Sequence, residues 1–456
     1  MGEWWSDLQH MLAVQRKAAS RVAIGNRWAS TTSDPGKYKV LVLGGGSAGL
    51  NVANQVYDRF KSAGKALNAG DVAIVDASEW HNYQPGWTLV GSGLKTKEEL
   101  RRPLASLIPP HITHVVDSVK SFSPQSNSIT TASGRTLSYD TLVVATGLKI
   151  NYEGIPGLSK GLADPKSGVS TIYSYDTCDK VWREIDGLKS GKAIFTQPAG
   201  IIKCPGAPQK IMWQAWSHWK KTGRDDAIRT EFWNGMPTMF SVKKYSDALN
   251  ALRLERGIGA EFQHNLSSID VDNRIATFTK PDGTTTSTDY SMLHVVPPQV
   301  PLDVMKGQPI CDEAGWVEVD KDTLQHVKFS NIWALGDCSN LPTSRTAAAI
   351  TSQTPVLTEN LFSLVDTGKL SEAKYIGYTS CPLLTGNNEL MLAEFKYGFV
   401  PHETFANYLG DQATPRRAYY HLKKDFFPFV YFKYMVKGAW FGPSGIMRPA
   451  YSSANP

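Results

Sequence analysis

The first apolar run of the chain leads directly into a glycine-rich turn, and this feature limits the possible folds most strongly. The stretch YKVLVLGGGSAGLNVANQV joins a β-branched run to an amphipathic segment through Gly44, Gly46 and Gly49, which form a GxGxxG pattern. The next apolar run, DVAIVD, ends at Asp76. This order predicts a strand, a tight turn, a helix and a second strand, which is the βαβ unit that binds a dinucleotide.

Each position of the glycine pattern has its own physical task. The first glycine permits the tight turn, the second lets the backbone approach a pyrophosphate, and the third allows close packing of the helix. Ser47 and Ala48 lie at the helix N-terminus, whose partial positive charge favours phosphate. Asp76 is suited to bind a ribose hydroxyl. We therefore predict that these residues form a dinucleotide site.

Apolar runs and amphipathic segments alternate along the rest of the chain. This alternation predicts an α/β fold with two Rossmann-like nucleotide-binding domains, the first split in sequence by the second. Further strands are predicted at 71–80, 114–122, 141–147, 193–197 and 331–337, and helices at 208–221 and 243–257. The predicted boundaries are a leader at 1–36, the first domain at 37–150 and 299–370, the second domain at 151–298, and a C-terminal region at 371–456.

The second strand–turn–helix segment, AIFTQPAGIIKCPGAPQKIMW at 193–213, has no glycine fingerprint. Pro198, Pro205 and Pro208 lack the amide hydrogens that a phosphate cradle needs. We therefore predict that this turn does not bind a nicotinamide nucleotide. The residue that it presents instead is Cys204.

Cys204 precedes a helix predicted to start at Pro208, with Lys203 beside it and Lys210 in the first helical turn. The two cations and the helix dipole favour the thiolate, which is the reactive form. A buried structural cysteine is the alternative, and these local features leave both open. Cys381, in YTSCPLLTG, is also followed by a proline, and the sequence does not show how far apart the two sulfur atoms lie.

Composition excludes several classes of protein. Hydrophobic residues make up 41% of the chain and charged residues 20%, as in a globular protein. The five cysteines are odd in number and widely spaced, so we predict neither a disulfide framework nor a metal site. A net charge of +6 over 456 residues is mild, and no nucleic-acid partner is predicted. The sequence contains no uncharged apolar stretch of about 18 residues, so it does not predict a membrane-spanning helix.

The first 36 residues are rich in basic residues and end in RWASTTSDPG. Arg16, Lys17, Arg21 and Arg27 outnumber the acidic residues, a composition typical of a mitochondrial presequence that is cleaved before folding. A docking helix or a tail is the alternative, because Trp4 and its acidic neighbours are unusual for a presequence.

Two later motifs indicate which dinucleotide the first domain binds. TLVVATG at 141–147 and NIWALGD at 331–337 resemble the strand ends of the two-dinucleotide-domain flavoproteins. That resemblance implies an FAD site in which the helix beginning in TSRTAAAI points its N-terminus at the flavin. The residues that it adds to the site are Ala145, Thr146, Gly147, Gly336 and Asp337.

A closer resemblance covers nearly all of residues 38–400. The segments VLVLGGGSAG, YQPGWTLVG, KCPGAPQKIM, SVKKYSDAL, MLHVVPP, LQHVKFSNIWALGDCSNLPTSRTAAA and GYTSCPLLTG resemble, in this order, the eukaryotic-type sulfide:quinone oxidoreductases. The resemblance implies two redox cysteines beside FAD, at Cys204 and Cys381, with Lys210 in the same site. We expect a non-covalent flavin, since no residue matches the additional cysteine of relatives that tether FAD.

The resemblance also implies a reaction and a location. Hydrogen sulfide would attack Cys381 in a disulfide or sulfur-bridged pair, leaving a persulfide there and a thiolate at Cys204. Two electrons would pass through FAD to ubiquinone, and glutathione, sulfite or coenzyme A would remove the persulfide sulfur. The expected location is the mitochondrial inner membrane. The sequence leaves open whether the protein forms a homodimer.

The chain ends in an aromatic and basic segment, RRAYYHLKKDFFPFVYFKYMVKGAWFGPSGIMRP, which begins at residue 416. We predict two short helices separated at Pro428, forming an anchor that lies in one membrane leaflet, with Lys423 and other lysines reaching the lipid head groups. An aromatic core or a dimer contact is the alternative. Phe395 and Phe427 are predicted to stack on the quinone.

Two other functions are compatible with the same motifs. A type II NADH:quinone oxidoreductase has a similar fold, but NADH should then reduce the flavin. A non-enzymatic redox-sensing flavoprotein would use Cys204 and Cys381 only for packing, and sulfide should then leave its spectrum unchanged.

Overall fold

The computed structural model describes residues 36–451. The predicted presequence therefore lies outside the described residues, apart from Gly36. The first sheet has a parallel core in the order Ile112–Val115, Val72–Val75, Lys37–Leu43, Thr136–Val144. Ile332–Ala334 pairs in parallel with Thr136–Val144, so the chain returns to this sheet after forming the second one. Two antiparallel strands, Ser128–Thr131 and Val119–Ser123, complete the sheet.

The second sheet is wholly parallel, and together the two sheets give the Rossmann-like α/β fold that the sequence predicts. Its strand order is Val169–Ser170, Met292–His294, Gly191–Gln197, Ile228–Asn234, Gly259–Phe262. An antiparallel sheet of Asn265–Asp270, Ile275–Thr279 and Thr285–Asp289 follows in sequence order within the same region. Short two-stranded pairs join Trp80–Asn82 to Arg101–Pro103 and Lys149–Ile150 to Gln299–Val300.

Three helices matter most for the site, and we name them here. The fingerprint helix is Ser47–Ser62, the cysteine helix is Ala207–Lys221, and the long helix is Ala347–Thr367. The cysteine helix confirms the prediction but begins one residue earlier, so Pro208 is its second residue. The other helices are Trp87–Val90, Leu158–Ala163, Cys178–Gly187, Lys243–Glu255, Ala406–Leu409, Arg417–His421 and Phe427–Lys433.

Two glycines of the fingerprint are fixed by close backbone contacts. Gly44 has a φ of +99°, and a Cβ there would lie 2.5 Å from the Ala145 carbonyl oxygen. A Cβ at Gly49 would lie 1.7 Å from the Gly44 carbonyl oxygen. The fingerprint helix can therefore start directly over the strand ends only because both residues lack a side chain.

The predicted strands at 71–80 and 114–122 are each broken in the structure. The strand Val72–Val75 ends just before Asp76. The Asp76 carboxylate accepts hydrogen bonds from the Gly45 and Ser78 amides at 2.6 and 2.7 Å. The second break falls at Asp117, whose carboxylate accepts from the Ser118 amide at 2.8 Å. An aspartate that binds nearby backbone amides favours a turn over a continued strand.

The C-terminal region combines a small antiparallel sheet with a helical segment. The sheet is formed by Thr379–Gly386, Glu389–Lys396 and Val400–Pro401. The two predicted short helices, Arg417–His421 and Phe427–Lys433, are present, but a π-helical turn at Leu422–Phe426 joins them without a break. Pro428 is the second residue of the second helix, directly after this π-helical turn, and it has no amide hydrogen to donate to the preceding turn.

The structure corrects part of the prediction for this segment. Lys423, Tyr431 and Phe441 are only 3%, 2% and 8% exposed, so they belong to the protein interior and do not face lipid. Phe429, Ile446 and Met447 remain 38%, 66% and 72% exposed. Within 36–451, no helix is both long and apolar enough to cross a membrane.

Replacing Gly49 by alanine should destabilise the protein. The new methyl group would overlap the Gly44 carbonyl, and overpacking of this kind costs about 1–3 kcal/mol. Gly187→Ala is the matched control, because a Cβ there meets nothing within 4 Å. Thermal unfolding of both variants measures the effect, and equal melting temperatures would contradict the prediction.

Candidate active site

The two cysteines singled out by the sequence lie in contact, although 177 residues separate them. Cys204 Sγ and Cys381 Sγ are 3.7 Å apart. Cys204 stands just before the cysteine helix, and Cys381 lies on the first strand of the C-terminal sheet. Gly206 lies where the two elements approach each other, and a Cβ at this position would lie 2.5 Å from Cys381 Sγ. The absence of a side chain at this position lets the two elements meet.

The backbone of Cys204 is held in an unusual conformation. Its φ of +52° lies in the left-handed region, which is uncommon for a residue with a Cβ. The Cys204 amide donates to the Arg345 carbonyl at 2.8 Å, and the Ala207 amide donates to the Cys204 carbonyl at 2.8 Å. The fold therefore fixes this conformation from both sides, as is common where a reactive side chain is positioned.

The surroundings of Cys204 favour its thiolate. A hydrogen bond from the Cys381 thiol and the charges of Lys210 and Lys423 hold the pKa of Cys204 well below its ordinary value, although burial opposes this. Lys210 Nζ donates to Cys204 Sγ at 3.2 Å. Burial alone would lower the pKa of Lys210, but the neighbouring Cys204 thiolate raises it above its usual value. At neutral pH the two groups therefore form a partly buried ion pair.

The second sulfur has the opposite character. Its hydrogen bond to Cys204, together with burial, raises the pKa of Cys381 well above the ordinary value for a thiol. Burial, and then the charge of the same two cysteines, also raises the pKa of Tyr173. The Tyr173 hydroxyl is buried and makes no hydrogen bond with any described residue. The pair is thus polarised into one thiolate and one thiol, with a neutral hydroxyl nearby.

The remaining cysteines do not share this environment. Burial is the main cause that raises the pKa of Cys178 to about 12, of Cys311 to about 12 and of Cys338 to about 11. All three are therefore protonated at neutral pH, and a protonated thiol is a poor nucleophile.

The predicted cofactor residues of the first sheet converge at one edge. Gly44 packs on Ala145, and a Cβ at Gly46 would meet nothing within 4 Å, so space is open above the second fingerprint glycine. Thr146 Oγ1 is buried without a hydrogen-bond partner among the described residues. Gly147 has a φ of +73° and turns the chain away from the sheet. An open cradle and an unpaired buried hydroxyl fit a bound polar group.

The residues predicted from the second motif lie at the same edge. A Cβ at Gly336 would lie 3.3 Å from the Ala48 Cβ, which places this turn beside the start of the fingerprint helix. Asp337 lines a small cleft with Thr346 and Ala349 at the N-terminus of the long helix. Its carboxylate makes no hydrogen bond within the described part of the chain, and burial raises its pKa against the charges of Lys203 and Arg345. Both halves of the site therefore fit one dinucleotide.

The cleft and the cysteine pair are linked through the chain. Thr346 caps the long helix by accepting from the Ala349 amide at 3.0 Å. The hydroxyls of Thr346 and Thr379 are 2.8 Å apart, and Thr379 precedes Cys381 by two residues on the same strand face. The strand that carries Cys381 is thereby held against the cofactor cleft.

The two aromatic residues predicted at the quinone site are not brought together. Phe395 is 2% exposed and pairs with Thr379 in the C-terminal sheet, on the face that carries Cys381. Its ring contacts Phe240 and Phe399. Phe427 makes a ring contact with Phe426 and, among the described residues, none with Phe395. The quinone role of both residues stays a prediction.

Sequence reasoning missed the role of Lys423 in this site. The Lys423 ammonium donates to the Pro85 carbonyl at 2.6 Å, and burial, followed by the charge of Lys210, lowers its pKa to about 7. A lysine between aromatic residues is equally typical of a membrane surface, so the local pattern held no signal for burial.

Two Rossmann-like sheets, a glycine fingerprint and a polarised cysteine pair define a disulfide-type flavoprotein oxidoreductase. In agreement, the family model described as "Pyridine nucleotide-disulphide oxidoreductase" matches residues 38–189. The chain is 46% identical over 440 residues to "Sulfide:quinone oxidoreductase, mitochondrial" of Schizosaccharomyces pombe, covering 93% of this chain and 95% of the relative. It is 45% identical to the protein of the same name from Dictyostelium discoideum, over 90% and 88% of the two chains. The chain belongs to the mitochondrial sulfide:quinone oxidoreductase family.

A solved structure supports the fold assignment independently. The sulfide:quinone oxidoreductase of Aquifex aeolicus superposes with a TM-score of 0.71 at 16% identity, covering 87% of this chain and 91% of that one. At this identity the likeness concerns the fold alone.

Replacing Lys210 by methionine should raise the pKa of the Cys204 thiol, because the cation that favours the thiolate is lost. In the reduced protein, the midpoint of the pH dependence of Cys204 alkylation by iodoacetamide should move up by about one to three pH units. Peptide mass spectrometry identifies the labelled cysteine. Lys221→Met, on the exposed end of the same helix, is the control and should leave the midpoint unchanged. An unchanged midpoint in the Lys210 variant would show that Lys210 does not stabilise the thiolate.

Proposed function

We propose that this protein is an FAD-dependent sulfide:quinone oxidoreductase of the mitochondrial inner membrane. The observation that carries the proposal is the contact between Cys204 and Cys381 beside the buried Lys210 ammonium. Family membership supports the same reaction. In the resting enzyme, the two cysteines are joined as a disulfide or through bridging sulfur.

The asymmetry of the pair determines which sulfur is attacked. In thiol–disulfide exchange the thiol of lower pKa leaves faster, and here that thiol is Cys204. Hydrosulfide therefore attacks Cys381, the bond between the cysteines breaks, Cys204 leaves as a thiolate, and Cys381 keeps a persulfide. Lys210 stabilises the departing thiolate through its hydrogen bond. The attack consumes one hydrosulfide and transfers no electrons out of the pair.

A nucleophilic acceptor then takes the outer sulfur and leaves a Cys381 thiol. Glutathione, sulfite and coenzyme A all have the required nucleophilic sulfur. Re-forming the Cys204–Cys381 bond releases two electrons and one proton. FAD, when bound, would supply the two-electron acceptor for this step, and the final acceptor is proposed to be ubiquinone. Lys423, with a pKa of about 7, can hold a proton near the pair in the physiological range.

The proposed FAD site uses the residues at the edge of the first sheet. The amides at Gly46 and Ser47 would face the pyrophosphate, and Asp76 would bind ribose. Asp337 would bind the ribityl chain, and Thr146 would lie beside the flavin. The unpaired Thr146 hydroxyl and the open space above Gly46 support this assignment.

The amides of the second-domain turn argue against NADH as the electron donor. The Ala199 amide donates to Asn265 Oδ1, the Lys203 amide to Gln299 Oε1 and the Cys204 amide to the Arg345 carbonyl. These donors already have partners inside the protein, so they do not form a cradle for a second pyrophosphate.

Anaerobic sulfide should bleach the flavin absorbance of the purified protein, and NADH should not. Cys204→Ser and Cys381→Ser should each abolish the bleaching, because a serine oxygen cannot form the persulfide or the disulfide. Cys311→Ser is the matched control and should bleach normally. Stopped-flow absorbance measures all four proteins. Bleaching by NADH would favour the NADH:quinone oxidoreductase, and an unchanged spectrum with sulfide would favour the redox sensor.

The C-terminal segment 416–451 is proposed to bind one leaflet of the membrane, where the quinone is dissolved. Its exposed apolar side chains, Phe429, Ile446 and Met447, support this role, since each contributes up to about 1.5–3 kcal/mol when buried in lipid.

Replacing Phe429, Ile446 and Met447 together by serine should strongly reduce co-flotation with vesicles of mitochondrial lipid composition. The flavin content and the bleaching by sulfide should stay unchanged, because these side chains are exposed. Leu254→Ser with Val327→Ser, at apolar positions 62% and 56% exposed elsewhere on the surface, is the control. Full flotation of the triple variant would show that this segment is not the membrane contact.

A further inference from the structure

Tyr431 connects the C-terminal segment to the start of the fingerprint helix. Its hydroxyl lies 2.5 Å from Ser47 Oγ and 2.7 Å from His81 Nε2. Its ring packs on Tyr83 with a centroid distance of 4.5 Å. Both Tyr431 and His81 are buried, at 2% and 4% exposure. A residue from near the end of the chain thus contacts the glycine turn near its beginning.

The hydrogen-bond partners determine the direction of each bond. His81 Nδ1 lies 3.0 Å from the Gly45 carbonyl, which can only accept, so Nδ1 carries the proton. Burial lowers the pKa of His81 and keeps the ring neutral at physiological pH, so Nε2 is the acceptor. The Tyr431 hydroxyl must therefore donate to His81 Nε2, and its oxygen accepts from the Ser47 hydroxyl.

This chain of bonds controls the peptide between Gly45 and Gly46. The Gly45 amide donates to Asp76 Oδ2 at 2.6 Å, and the Gly45 carbonyl accepts from His81. In a trans peptide the following N–H points opposite to the carbonyl, so the Gly46 N–H is turned away from His81. A Cβ placed on Gly46 would meet no atom within 4 Å, so the space beside this residue is open. Among the described residues the Gly46 N–H has no hydrogen-bond partner, so this donor is available to an anion bound at the glycine turn.

The same segment is fastened along the fingerprint helix beyond Tyr431. Asn54 Nδ2 donates to the Val436 carbonyl at 3.1 Å, and Gln55 Nε2 lies 3.5 Å from the Trp440 carbonyl. A Cβ at Gly438 would lie 2.8 Å from the Asn54 Cβ, which shows how closely the backbone approaches the helix. Tyr431 is thus held in register by contacts one to two helical turns further on.

We infer that Tyr431 is a positioning residue for the pyrophosphate of the dinucleotide cofactor. Its hydroxyl donates to His81 Nε2 and so holds the ring in place, and His81 in turn orients the Gly45–Gly46 peptide toward the phosphate. The Ser47 hydroxyl donates to Tyr431 and so is not a phosphate donor in this arrangement. The inference rests on the proposed FAD site and adds to it a contribution from the segment proposed to meet the membrane.

Tyr431→Phe tests the inference because it keeps the ring and removes only the hydroxyl. The dissociation constant of FAD, measured by flavin fluorescence on adding FAD to the apoprotein, should rise about tenfold, as expected for losing a hydrogen bond to a buried partner. Tyr434→Phe, in the same segment, is the matched control, since the Tyr434 hydroxyl has no hydrogen-bond partner within 36–451 and its ring packs on Phe429. The Tyr431 apoprotein should itself melt at a lower temperature, because the buried His81 Nε2 loses its donor. FAD binding is therefore measured well below both melting transitions, where a merely structural role would leave the dissociation constant unchanged.

A double-mutant cycle with Ser47→Ala separates two roles of Ser47. If Ser47 acts through Tyr431, the double variant should bind FAD about as weakly as Tyr431→Phe alone. Additive losses would show that Ser47 binds the phosphate directly and would overturn the inferred chain. An unchanged dissociation constant in Tyr431→Phe would also overturn it. A wild-type protein that carries no flavin would instead contradict the proposed function.

Discussion

The close approach of Gly206 to Cys381 is the constraint on which the rest of the site depends. Without a side chain at residue 206, the strand that carries Cys381 can lie against the turn before the cysteine helix, and the two sulfur atoms come within 3.7 Å. The buried Lys210 ammonium then makes the pair unequal. In the proposed reaction, this inequality distinguishes the leaving sulfur from the sulfur that is attacked, which two equivalent thiols could not do.

The cofactor cleft and the cysteine pair share structural elements. Arg345 accepts from the Cys204 amide through its carbonyl, while its guanidinium donates to the Asp337 carbonyl at 2.8 Å. Thr346 connects the long helix to the strand of Cys381 through Thr379. A shift of either element would therefore move the cysteines and the cleft together. Such coupling suits chemistry in which sulfur and cofactor must stay at a fixed separation.

The C-terminal segment has two different faces. Tyr431, Lys423 and Phe441 are buried, whereas Phe429, Ile446 and Met447 are exposed. Tyr431 contacts the start of the fingerprint helix, and Lys423 lies beside the cysteine site. Because its inner face contacts the start of the fingerprint helix, this segment is an integral part of the fold as well as the proposed membrane contact. Its outer apolar side chains lie within a few residues of those inner contacts, so one segment carries both the proposed membrane contact and a contact with the proposed cofactor site.

The sequence by itself determined the local elements and most of the chemistry-bearing positions. The fingerprint turn, the cysteine helix and Cys204 were recognisable because turn glycines, helix starts and nearby charges are encoded within a few residues. The strand predicted at 71–80 was too long, since it stops before Asp76, whose carboxylate binds the Gly45 amide of another segment. Only the tertiary structure decided that Cys381 meets Cys204, that Lys423 is buried beside them, and that Tyr431 reaches the glycine turn. The Cys204–Cys381 and Ser47–Tyr431 contacts join residues 177 and 384 positions apart, and no local pattern specifies which distant side chains will share one low-dielectric pocket.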